Sequence, residues 1–159
     1  MGSRAAQVTS NFGEVIMQTI IGLIEDNRVE DEDLKTLDIR AVQEGMPADI
    51  ESPCIYIEQI DFLPQPRTLG KVNVSYYDRY IYHVVYIHSR IEDDASNSQL
   101  SMAQVCLPVF FIRHSGLNGL CKGIEVSNAR KVNFTNLKGF YKAVVFNIIV
   151  PVYTTRNRN

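Results

Sequence analysis

Residues 79–91 read Arg79-Tyr80-Ile81-Tyr82-His83-Val84-Val85-Tyr86-Ile87-His88-Ser89-Arg90-Ile91, a run dense in tyrosine, valine and isoleucine. These residue types fit a pleated, packed surface better than a helix, so the run predicts a strand. Alternation puts Tyr80, Tyr82, Val84 and Tyr86 on one face and Ile81, His83, Val85 and Ile87 on the other. Both faces carry large side chains, which predicts a strand covered on both sides.

Upstream, residues 54–63 (CIYIEQIDFL) form a second expected strand, with Ile55 and Ile57 on one face and Tyr56, Glu58, Ile60 and Phe62 on the other. Pro64 and Pro66 are expected to end it, and residues 67–71 to bend around Gly70. A weaker alternation at residues 37–42 suggests a short strand, followed by a loop marked by Gly45, Pro47 and Pro53. Downstream, residues 120–126 and 129–135 read as short strands around a Ser127-Asn128 turn. A turn at residues 136–139 leads to a long last strand over residues 140–153, and Thr154 onward reads as a polar tail.

Two segments follow helical spacing. Phe12, Ile16, Ile20 and Leu23/Ile24 recur every three to four residues, with Asn11 placed to cap and Glu14 to face the positive end of the dipole. This helix is expected to end near Asp26. The second begins at Ser98 and carries Met102, Ala103, Val105, Cys106, Val109, Phe110 and Ile112. Pro108 lies inside it and is expected to kink or divide it. Helix, strands, helix, strands is the order of an α+β fold: a mixed or antiparallel sheet packed by two helices. The expected organisation is one domain over residues 10–153 between flexible ends at 1–9 and 154–159.

At 159 residues, with 45% hydrophobic and 21% charged, the chain has the balance of one folded domain and not of a disordered one. No apolar run approaches the roughly 18 residues of a membrane-spanning helix. Residues 1–7 lack the basic-then-apolar pattern of a secretory signal. Cys54, Cys106 and Cys121 are odd in number, lack CxxC spacing and sit among apolar neighbours, so buried thiols of a reducing compartment are expected.

Motifs of catalysis are missing. The sequence holds no GxxxxGK[ST] or GxGxxG phosphate loop, no GxSxG elbow and no HExxH spacing. His83 and His88 are five apart on a strand and face opposite sides, which prevents shared chelation. His114 falls where a helix C-terminus suits partial positive charge. Asp31-Glu32-Asp33 and Asp93-Asp94 lack the ligand spacing and turn glycine of a calcium loop. No enzyme activity, metal or cofactor is therefore expected. The tyrosines are interleaved with valine and isoleucine instead of arginine and lysine, which suits packing better than base stacking.

Charge is unevenly placed. Residues 25–61 carry a net charge of −9 and residues 113–159 a net charge of +7, against −2 for the whole chain. Such a partition suits head-to-tail self-association, the acidic face of one copy meeting the basic face of the next. The residues expected to make that contact are Asp31, Glu32 and Asp33 on one side and Arg130, Lys131 and Lys138 on the other.

The element order resembles that of the tail-terminator proteins of long-tailed bacteriophages and related neck and tail-completion proteins. The resemblance spans about residues 10–153. It rests on the first helix, the strand opening Ser52-Pro53-Cys54-Ile55-Tyr56-Ile57, the glycine-bearing turn, the Tyr/Val-rich strand, the second helix and the closing strands. Pro108 and the acidic stretch at residues 26–33 depart from the pattern. The resemblance implies a virion structural protein of the tail and neck, assembled in the host cytoplasm. Its partners would be itself in a hexameric ring, the tail-tube protein and the head-tail connector. Such a ring caps the head-proximal end of the tail tube, stops its polymerisation and provides the head-tail joining surface. DNA passes through the lumen without sequence-specific binding, no membrane is involved, and the family contributes no catalytic residues. A neck or tail-completion adaptor, or another non-catalytic interaction module, would share the fold without closing a ring. A small enzyme or ligand carrier would instead need a cavity with converging polar groups.

Overall fold

The computed structural model describes residues 12–64, 66–69, 73–90, 94–136 and 139–157. The elements run α1 (Phe12–Asn27), a short 3-10 turn (Lys35–Leu37), β1 (Ala41–Glu44), β2 (Cys54–Leu63), β3 (Pro66–Leu69), β4 (Asn73–Arg90), α2 (Asp94–Arg113), β5 (Glu125–Val126), β6 (Arg130–Asn136) and β7 (Gly139–Asn157). The strands form one sheet in the order β1-β2-β4-β7-β5, with β3 also on β4 and β6 also on β7. β1 pairs with β2 in parallel and every other pairing is antiparallel. The fold is therefore α+β, a mixed and mostly antiparallel sheet packed by two helices.

β4 is the axis of this sheet, as its composition suggests. Tyr80, Tyr82, Val84 and Tyr86 are buried together with Val144, Phe146, Ile148 and Val150 of β7 and Ile55 and Ile57 of β2. Both helices cover this face, α1 through Ile16, Met17, Ile20, Leu23 and Ile24, α2 through Leu100, Ala103, Leu107, Phe110 and Phe111. Each of the larger of these side chains contributes roughly 1.5–3 kcal/mol when fully buried. The opposite face holds a smaller cluster: Cys54, Val85, Ile87, Ala143 and Val145, edged by Tyr56, Val132, Phe134 and Tyr141. There Ile81 and His83 are only half-buried, so β4 is covered on both sides over part of its length.

Several expectations are corrected. The partners of β2 shift register between Gln59 and Asp61, leaving Ile60 as an extra residue. Past that bulge the alternation changes phase. Phe62 therefore joins the helix-covered face opposite Tyr80, their rings 4.8 Å apart, and not the face of Tyr56 and Glu58. Pro66 begins an edge strand, β3, instead of ending β2, at a position where its missing N–H disturbs no inner ladder. Residues 37–39 are not strand: Leu37 closes the 3-10 turn and Asp38 adopts φ 49°, so β1 starts at Ala41. Residues 120–124 are likewise not strand, and β5 is only Glu125–Val126. α2 begins at Asp94, ahead of Ser98, and is one element through Pro108, clamped on both sides of the proline by Leu107, Phe110 and Phe111. β7 continues through residues 154–157 against residues 73–76 of β4, where composition suggests a tail. Asn11, the expected cap, lies outside the described residues.

Candidate functional site

The acidic segment after α1 is spent largely inside the chain. Arg113, the last residue of α2, donates from Nη2 to both carboxylate oxygens of Asp31 at 2.8 Å and from Nε to Asp33 at 2.7 Å. Asp31 also accepts the backbone N–H groups of Asp33 and Leu34, so it shapes the turn as well as holding the arginine. Its side chain is only 8% exposed. Burial works against the carboxylate, yet Arg113 and the two backbone donors outweigh it and hold the Asp31 pKa below the usual carboxylate value. Glu32 pairs with Lys35 at 3.0 Å. The three acidic residues singled out in the sequence thus have partners of their own.

On the basic side, Lys131 and Lys142 reach polar oxygens of α2. Lys131 Nζ donates to Ser101 Oγ at 2.6 Å, and Lys142 Nζ to Asn97 Oδ1 at 2.9 Å. Arg130 is exposed on β6, and Lys138 lies outside the described residues. The sequence gives no sign of the acidic counterpart that the fold assembles. Glu14 on α1 and Glu44 at the end of β1 are brought side by side from distant parts of the chain. Glu44 is exposed, yet some loss of hydration, then the charge and hydrogen bond of Glu14, raise its pKa. A cleft of about 390 Å³ on the opposite face is lined by His83, Ser127, Asn128, Arg130 and Asn147. In it His83 Nδ1 and Asn147 Oδ1 are 2.8 Å apart and Asn147 N–H donates to Ser127 Oγ at 2.7 Å, so these polar groups largely satisfy one another.

All three thiols are shifted away from reactivity. Burial raises the thiol of Cys54 to about 11, with the charge of Glu51 adding to it. Burial also raises Cys106, with Asp33 reinforcing the effect, and Cys121, where a backbone hydrogen bond only partly offsets it. A reactive cysteine needs the opposite shift. His114 packs on Phe110 with ring centroids 4.6 Å apart, and no hydrogen bond joins it to Cys106 among the described residues. Among the described residues no three His, Cys, Asp or Glu side chains gather to hold a metal.

The conspicuous surface is α2 itself. From Ala95 to Ile112 it carries no charged residue. Its inner ridge is buried, but Val105 and Ile112 are 64% and 60% exposed, with Val109 also exposed between them. These three recur at i, i+4 and i+7 and form an aliphatic ridge pointing away from the core. The sequence reading merges them with Ala103 and Phe110 in one stripe; the fold separates two. Among known proteins, no family model matches the chain and no curated protein matches it significantly.

Proposed function

We propose that this protein is a structural component of a phage tail. In this reading it assembles with copies of itself into a ring, six copies by the family resemblance, that caps the head-proximal end of the tail tube. The ring ends tube polymerisation and presents the surface on which the head connector docks. DNA passes through its lumen without being read, and no catalytic step is required of any residue.

The observation that carries this reading is the placement of charge on the folded chain. β1 and the β5/β6 edge are the two ends of the strand order. Glu14 and Glu44 lie at the first, and Arg130, Lys131 and Lys142 lie at or beside the second. Opposite charges on opposite ends of one subunit favour a heterologous contact, which closes into a ring when the rotation between copies is right. A neck or tail-completion adaptor of the same fold is the second reading. It is favoured by Arg113, which engages the carboxylates of both Asp31 and Asp33 within the subunit and so leaves them less open to a neighbouring copy.

Sedimentation and negative-stain imaging, of the protein alone and mixed with its cognate tail tubes, decide between the two. Rings in solution, or single annular caps on tube ends that block further growth, support the terminator. A protein that stays monomeric and neither caps tubes nor halts their growth refutes it.

A further inference from the structure

We propose that the exposed ridge of α2 is the apolar centre of the contact between copies, and that it seats on α1 of the next copy. This rests on the self-assembly reading above and assigns it two surfaces. Val105, Val109 and Ile112 form the ridge. The receiving surface is a shallow groove of about 420 Å³ on α1, lined by Glu14, Val15, Gln18 and Thr19. Val15 is 47% exposed there and gives the groove an apolar floor. Ridge into groove is the ordinary way two helices pack.

Two observations point to a second copy of this chain as the occupant. First, over residues 105–112 the helix is apolar on both its inner and outer ridges and carries no charge, the composition of a helical segment buried on both sides. Second, the flanks are complementary. Lys131 and Lys142 stand against Ser101 and Asn97 beside the ridge, each on a neutral oxygen. Glu14, exposed on the rim of the groove, accepts a 2.8 Å hydrogen bond from the neutral Gln18 side chain and offers a carboxylate that a lysine from outside can pair. Ridge and groove are different surfaces of the same subunit, so such a contact is heterologous and propagates head to tail.

The test uses sedimentation velocity across a range of protein concentrations at low salt. Val105→Lys with Ile112→Lys is expected to weaken self-association by about tenfold or more, as loss of central interface anchors does. At a concentration low enough to keep every variant monomeric, far-UV circular dichroism and the urea midpoint should stay near wild type, because both side chains are exposed in the single subunit. Val105→Thr with Ile112→Thr serves as the milder second pair and should weaken association in the same direction. Glu14→Lys alone and Lys131→Glu alone should each weaken it, and the two together in one chain should restore it. If wild type assembles and the lysine and threonine pairs assemble equally well, this inference is wrong while the ring reading stands. Loss of association by the ridge variants without rescue by the charge exchange overturns α1 as the seat. Wild type that is monomeric both alone and on tail tubes overturns the ring reading and this contact together.

Discussion

The Tyr82 hydroxyl donates a 2.6 Å hydrogen bond to the Gly13 carbonyl, tying the centre of β4 to the first turn of α1. Tyr86 repeats the device one turn of the pleat away, donating to the Leu37 carbonyl at 2.9 Å. Both hydroxyls are buried, and burial first, then nearby acidic groups, pushes their pKa values upward, so they remain donors throughout the working range of pH. A Cβ at Gly13 would meet the Gln59 side-chain oxygen at 2.5 Å, so a larger residue there would have to displace the end of that side chain. Tyr82→Phe removes the donor and leaves a buried carbonyl with its helical partner alone. The expected loss is about 1 kcal/mol in unfolding free energy, read from a shift in urea midpoint at unchanged slope.

The tyrosines were legible as packing residues because alternation is a local property, and it places them correctly. The ends of β2 were legible for the same reason. The bulge at Ile60 was not, since nothing in Glu58-Gln59-Ile60-Asp61 marks which residue is extra. β3 was hidden by prolines that act as breakers in inner strands and are tolerated at an edge. The site was less legible than the fold. Arg113 meets Asp31 across 82 residues of chain, and Glu14 meets Glu44 only because α1 packs over β1. Net charge by thirds locates neither pairing, because it cannot tell a carboxylate that is neutralised within the subunit from one that is not. The outer ridge of α2 was present in the apolar periodicity but indistinguishable from core until the inner ridge was known.

That division into two ridges predicts stability effects of very different size on one helix. Phe111 is fully buried with its ring centroid 5.9 Å from that of Phe146. Phe111→Ala is expected to cost about 3–5 kcal/mol, the loss of transfer energy plus a cavity. Val105→Ala, on the exposed ridge, should change the stability of the monomer by less than about 0.5 kcal/mol. Urea denaturation at a concentration low enough to keep the protein monomeric checks both. Comparable losses at the two positions would mean that the ridges are wrongly assigned.

The thiols offer a second probe of the packing. Cys54 is 2% exposed and its pKa stands at about 11, so at pH 8 only about one molecule in a thousand carries the thiolate. Reaction of native protein with an aromatic disulfide reagent should therefore spare Cys54 and proceed slowly at the half-buried Cys106 and Cys121. All three should react at once in denaturant. Rapid native labelling at Cys54, located by peptide mapping, would contradict the packing of β1, β2 and β4 around it.

Arg113 and Asp31 give the pH dependence its sign. The Asp31 pKa is lowered in the folded chain from an ordinary value of 3.8, so the unfolded chain holds the proton more tightly than the folded one. Its contribution to stability is complete above about pH 4 to 5, declines as pH falls past 3.8, and is gone once pH is below the folded value. Removing the cation by Arg113→Gln should lower stability at pH 7, because Asp31 and Asp33 lose their charged partner while remaining ionised. The same substitution should matter progressively less as the solution is acidified through that window. Urea midpoints for the two proteins, compared from pH 7 down to the lowest pH at which wild type folds, should converge. A constant gap would mean that Arg113 acts through packing of its side chain and not through the carboxylate of Asp31.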